Sequence, residues 1–171
     1  MKTDVVIKDK RWRKIPLEEI AGSALKLVIA NFLGNDKKFG VSILASNNAE
    51  IRELNKSFRG KNTSTNIISW PEYSLQSKKP GDFPEKLSRV KTDYEGETFL
   101  GNLAISFERC STEAGEKKIN LEDHILHLFL HGFLHLIGFD HQHELDANLM
   151  ENIEITLLSG VGIKNPYELD D

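Results

Sequence analysis

The hydrophobic pattern begins as an extended run, Val5-Val6-Ile7, and turns polar and basic from Lys8 to Lys14. Pro16 then opens a helix at its first helical position. Glu18 and Glu19 sit in the first turn, and Leu17, Ile20, Ala24, Leu27, Val28 and Phe32 recur at helical spacing up to Gly34. Val41 to Leu44 reads as a strand. Asn47 predicts the cap of a second helix, with Glu50 as its capping-box partner and Ile51, Leu54 and Phe58 as its buried stripe. A strand from Thr65 to Trp70 stops at Pro71, which has no N–H to give to a ladder. Residues 71–97 show no periodicity and predict a long exposed loop, a length more often functional than accidental. Beyond it the pattern predicts a strand over Phe99–Phe107, a short polar helix over Glu108–Lys118, an apolar helix over Leu121–Ile137 and an amphipathic helix over Glu144–Leu158, ending near Gly160. Residues 160–171 form a C-terminal tail. This alternation predicts one α+β domain over residues 1–171, a small mixed sheet of about four strands packed with about five helices.

A chain of 171 residues suits a single core. Its 22 basic and 26 acidic side chains give a net charge of −4, which alone argues against nucleic acid. The charge is uneven, however: +6 over residues 1–61, −3 over 62–139 and −7 over 140–171. A basic first third is compatible with a polyanionic partner and equally with a solvated mixed surface. The single cysteine, Cys110, excludes an intramolecular disulfide framework and a thiolate zinc knuckle. No run resembles a signal peptide and none approaches the ~18 apolar residues of a membrane span, so the expectation is a cytoplasmic protein with no membrane partner.

All six histidines, His124, His127, His131, His135, His141 and His143, fall in one short stretch, four of them within the apolar helix. At about 100° per residue, His127, His131 and His135 share one face, with His124 close to it. The run His131-Gly-Phe-Leu-His135-Leu-Ile-Gly138-Phe-Asp-His141 has the spacing H-x-x-x-H-x-x-G-x-x-H. A pair four residues apart can aim two imidazoles at one ion, Gly138 can turn the chain through positive φ, and His141 can return as a third ligand. Three ligands leave a fourth position for water or substrate. Metzincin proteases share this spacing, but their general-base Glu follows the first histidine, and here that place holds Gly132. His124 and His127 are expected to supply hydrogen bonds or a polar wall rather than ligate, and His143 to lie at a surface or helix start. Asp140 is expected either to cap the turn or to orient a ligand imidazole.

The run from His127 to His141 resembles the signature of the bacterial YbeY family of endoribonucleases and rRNA maturation factors. Two further blocks resemble the same family: Ile51 to Pro71, which contains Asn55, Arg59, Lys61, Thr65 and Ser69, and Leu100-Gly101-Asn102 to Ser106. The resemblance implies a cytoplasmic, zinc-dependent, single-strand-specific endoribonuclease of 16S rRNA maturation and ribosome quality control, whose partners are RNA, the small ribosomal subunit and its assembly proteins. It further implies that His131, His135 and His141 bind zinc and that Arg59 is the catalytic cation. Asn66 and Asn102 stand where the family is expected to carry Asp, and the 71–97 loop is longer than the family's. Lys61 and Arg52 are candidates for holding phosphates. An arginine fork suits the non-bridging oxygens of a phosphodiester, and a three-histidine zinc suits activation of water. Two other readings share the features: a peptidase, and a non-catalytic ribosome-assembly factor with a structural metal.

Overall fold

The computed structural model describes residues 1–85 and 92–168. Within the predicted loop and tail, residues 86–91 and 169–171 lie outside the described residues. Four strands form one mixed sheet: β1 (Lys2–Ile7), β2 (Lys38–Ser46), β3 (Ile67–Pro71) and β4 (Glu97–Ser106), in the order β1-β2-β4-β3. The β1–β2 and β2–β4 pairs are parallel, with Val5 beside Ile43 and Ile43 beside Leu103, whereas β3 runs antiparallel to β4. The five helices are α1 (Leu17–Val28), α2 (Asn48–Arg59), α3 (Phe107–Lys117), α4 (Leu121–Leu136) and α5 (Glu144–Ser159).

Alternation along the strands divides the sheet into two unlike faces. Val41, Ile43, Leu103 and Ile105 join Leu25, Phe129 and Phe133 in the main core, covered by α1 and α4. On the other face Ile68 and Ala104 meet Ile51 of α2 in a second, smaller cluster. That helix covers only part of its face and leaves an apolar groove of about 470 Å³ beside Val6, Leu44, Leu54, Phe58 and Trp70. Phe58 is consequently 67 % exposed, not buried as its helical spacing predicts, and its ring meets Trp70 edge-on at 5.7 Å. Asn55 takes the buried place on the helix and donates to the Thr63 carbonyl at 2.9 Å.

Local chemistry shifts several predicted boundaries. The run Lys10–Lys14 is a 3₁₀ turn that buries Trp12, whose Nε1 donates to the Ser46 carbonyl at 2.8 Å. Pro16 is the N-cap of α1 rather than its first helical residue. The helix continues after Val28 as a π-helical turn, Ile29–Leu33, ending at Gly34 with φ +77°. Asn47 caps α2 as expected, accepting from the Glu50 N–H at 3.0 Å. The reciprocal half of the capping box is replaced, because the Glu50 carboxylate takes the Lys8 ammonium at 2.6 Å and the Ser46 hydroxyl. β3 starts two residues late, since the Asn66 side chain accepts from the Ile67 N–H at 2.7 Å; as an edge strand it tolerates Pro71.

The 71–97 loop is exposed over residues 92–96, as expected, but its stretch from Leu75 to Phe83 is docked. Leu75 is buried against Gly138, Phe83 meets Phe139 edge-on at 5.8 Å, and the Gly81 N–H donates to Asp146 at 2.7 Å. The tail is likewise tied down as far as Tyr167, with Ile163 packed on the main core.

Candidate metal centre

α4 starts where Asn120 accepts from the N–H groups of Glu122 and Asp123, and its apolar residues bury nearly all of its circumference. Gly132 sets its rotation. A Cβ there would lie 2.9 Å from Leu103 Cδ2 and 3.2 Å from Ile67 Cδ1, so the bare backbone at this position rests on the sheet. His131 lies about 100° round the helix from that contact, and His124, His127 and His135 lie within about 40° of it. The side chains of α3, α5 and the C-terminal segment meet this stripe.

The helix ends as the spacing anticipates. Gly138 adopts φ +105°, and a Cβ on it would stand 2.7 Å from the Leu75 backbone, so both conformation and close approach require glycine. The turn returns His141 beside its partners: its ring is 5.3 Å from that of His131 and 4.8 Å from that of His135, centre to centre. One ring nitrogen from each of His131, His135 and His141 falls within 4.8 Å of the others, a group that could hold one metal ion. The remaining nitrogens explain why. His135 Nδ1 faces the Phe139 carbonyl at 2.9 Å and His131 Nδ1 faces the Glu154 carboxylate at 2.7 Å; both partners only accept, so both Nδ1 atoms carry hydrogen. With both rings neutral, the two Nε2 lone pairs face each other at 3.1 Å. A tetrahedral ion with metal–nitrogen bonds of about 2.0–2.1 Å holds its ligands about 3.3 Å apart, so the pair fits a cation between them. Burial, reinforced by His131 and His141, lowers the His135 pKa to about 4, which favours the neutral, metal-binding form.

Glu154 escapes the sequence reading. It comes from α5, is 0 % exposed, and gathers three donors: His131 Nδ1 at 2.7 Å, His127 Nε2 at 2.7 Å and the Tyr167 hydroxyl. Burial would raise its pKa, but the hydrogen bonds from His127 and His131 dominate and hold it at about 2. Burial lowers the His127 pKa against the pull of Glu154, so the pair is a neutral imidazole on a carboxylate. Burial and the Glu154 charge raise the Tyr167 pKa. A signal for Glu154 did exist: it shares the apolar stripe of Met150, Leu157 and Leu158. His124, also buried, donates to Glu113 at 2.8 Å, and the Asn66 amide donates to the same carboxylate at 3.1 Å. An Asp at 66 would present a second carboxylate there. His143 is the exposed N-cap residue of α5, and Asp140 caps the turn by accepting from the His141 N–H at 2.8 Å.

The cations gather elsewhere, at the C-terminal end of α2. Gly60 ends the helix with φ +67°. Arg59 donates to the Ser69 carbonyl at 3.2 Å, Arg52 donates to Asn62 at 2.8 Å, and Lys61 is exposed. Among the described residues, no hydrogen bond or ion pair joins these three to the histidines. Among the described residues, no helix is long and apolar enough to cross a membrane.

The family model described as Endoribonuclease YbeY matches residues 5–162. A protein of Ruegeria sp. (strain TM1040) named Endoribonuclease YbeY is 38 % identical over 168 residues, 98 % of this chain and 97 % of that one. One of the same name from Jannaschia sp. (strain CCS1) is 39 % identical over 167 residues, 98 % of this chain and 100 % of its own. A Thermotoga maritima protein solved in solution shares the fold, with a TM-score of 0.53 and 17 % identity over 98 % of this chain and 99 % of that one. A match along nearly the whole chain, at this identity, makes the protein a member of the YbeY endoribonuclease family.

Proposed function

We propose that this protein is a zinc-dependent endoribonuclease that cuts single-stranded RNA, with His131, His135 and His141 as metal ligands and Arg59 as the catalytic cation. The approach of the His131 and His135 Nε2 atoms to 3.1 Å, with His141 exposed beside them, is the observation that carries the metal. The relatives' name carries the reaction class. Zinc is chosen because neutral imidazoles suit it; once bound, it would offset phosphoryl charge and acidify water.

The chain's own groups do the rest. Arg59 uses one guanidinium N–H on the Ser69 carbonyl and keeps its other donors exposed for non-bridging phosphate oxygens. On the same corner, Lys61 holds a neighbouring phosphate as a point charge and Arg52 through its guanidinium fork. Position 132 gives no general base, for it faces the sheet, which speaks against a peptidase. In the cell the substrate on this reading is 16S rRNA, the setting the cytoplasm, and the partners the small ribosomal subunit and its assembly proteins, in rRNA maturation and ribosome quality control.

The test is cleavage of unpaired RNA by purified protein, lost on His131→Ala and on chelation, and restored to the wild type by zinc. Cleavage indifferent to both would sink the proposal. One observation favours a second reading, a non-catalytic assembly factor with a structural metal: the Arg59 hydrogen bond to Ser69 ties α2 to β3 and is itself structural. An Arg59→Ala protein that keeps its metal and still matures 16S rRNA in cells would select that reading.

A further inference from the structure

Glu154 is the only fully buried acidic side chain among the described residues, and no lysine or arginine there is paired with it. A carboxylate taken out of water is held by hydrogen bonds and is stabilised further by compensating charge. Its three neighbours are two imidazoles and a phenol, so positive charge can reach it only through a ring, and the ring of His131 presents its far nitrogen to the metal group.

We propose that Glu154 and Tyr167 are positioning residues for the metal: Glu154 locks His131 with Nε2 toward the ion and balances the ion's charge, while Tyr167 ties the C-terminal segment to that carboxylate. The proposal rests on the metal reading above. Three features support it independently of one another. The two Glu154 oxygens are divided, Oε1 to His131 and Oε2 to His127 and Tyr167, so the carboxylate cannot rotate without breaking a bond. His127 spans the space between, its ring 6.5 Å from that of His131 and edge-on to Tyr167 at 5.7 Å. Tyr167 is held within its own segment by the Asn165 side chain, which accepts its backbone N–H at 2.9 Å, so the hydroxyl arrives on an ordered turn. A carboxylate behind a ligating histidine fixes the tautomer and raises the basicity of the metal-binding nitrogen. Metal occupancy and docking of residues 161–168 should therefore strengthen each other, since the ion supplies the charge that the buried carboxylate lacks.

A purely structural clamp between α4, α5 and the tail makes a different prediction: its loss would lower the melting temperature of metal-free protein and leave metal affinity alone. The experiment uses the full chain, stripped of metal and titrated with zinc against a chromophoric chelator. Melting of the metal-free form is followed in parallel. Tyr167→Phe should weaken zinc binding about 3–10-fold and Glu154→Gln about 10–100-fold, the range seen when such outer partners are lost. Metal-free Tyr167→Phe should melt below the wild type, because it loses a hydrogen bond to a carboxylate, so the fall in zinc affinity is the outcome that a purely structural clamp does not give. Zinc should slow amide hydrogen exchange over residues 161–168 in the wild type and much less in Tyr167→Phe. Should Glu154→Gln fail to fold, Tyr167→Phe decides alone, because it removes one hydroxyl and leaves the ring in place. Wild-type zinc affinity in folded Tyr167→Phe and Glu154→Gln would overturn the inference and leave the metal reading standing. A wild type that binds no zinc overturns both.

Discussion

His135 donates its Nδ1 hydrogen to the carbonyl of Phe139, four residues on, at 2.9 Å. The main chain that ends α4 therefore also orients the imidazole that α4 carries. Helix termination and ligand geometry are one piece of structure, and the two Nε2 atoms at its centre have nothing to share but a cation or a proton.

Zinc should therefore stabilise the fold by mass action. At free metal 100-fold above its Kd, the unfolding free energy rises by about 2.7 kcal/mol. For a chain of this size that corresponds to about 5–11 °C in Tm. Thermal melts with and without zinc measure it. His131→Ala and His135→Ala should each abolish the gain, and a gain that survives both would exclude the group as the binding site.

Gly138→Ala tests the turn. Positive φ costs a residue with a Cβ about 1–3 kcal/mol, and here the added atom also meets the Leu75 backbone at 2.7 Å. Urea unfolding should show a loss of at least about 2 kcal/mol, and zinc affinity should fall with it, since the same turn spaces His141 from His135. Unchanged stability would mean that the 72–85 segment is not docked where it stands.

Arg59→Ala should separate activity from folding. The exposed arginine makes one hydrogen bond to a carbonyl, worth about 0.5–1 kcal/mol at most. Single-turnover cleavage of unpaired RNA should drop on the order of 100-fold, the scale of losing one transition-state donor. Metal content would stay as in the wild type and Tm would fall by no more than about 4 °C. Cleavage at the wild-type rate removes Arg59 from the chemistry.

Asn66→Asp addresses a departure from the family pattern. The amide donates to Glu113 at 3.1 Å, so the variant sets two carboxylates face to face. Repulsion raises the folded-state pKa of one of them above its unfolded value, so the penalty is full at neutral pH and fades as pH falls through that raised pKa. Urea denaturation should give a destabilisation of about 1–2 kcal/mol at neutral pH, shrinking in mild acid. A pH-independent difference would show that no such repulsion exists.

The elements and the three-histidine group were legible because they rest on local rules. Helical spacing, the Asn47 cap and the positive φ of Gly138 each depend on residues near in sequence. What escaped was long-range. Phe58 has the spacing of a buried residue, yet the sheet face beneath the end of α2 is left open, which no helical period encodes. Glu154 sits on the apolar stripe of α5, but its meaning appears only when α5 and Tyr167 close on α4. Leu75 docks on Gly138 without any periodicity in its own segment to announce it.

The seat of Gly132 on Leu103 and Ile67 also bears on evolvability. The histidine spacing is shared with proteases that carry a glutamate after the first ligand. Here a single mutation to Glu would drive a charged side chain into the strands rather than toward the ion. Reaching proteolytic chemistry would require hollowing out two neighbouring strands in concert, each intermediate bearing a cavity or a buried charge. The two chemistries stand one letter apart in motif and are separated by an unstable valley in sequence space.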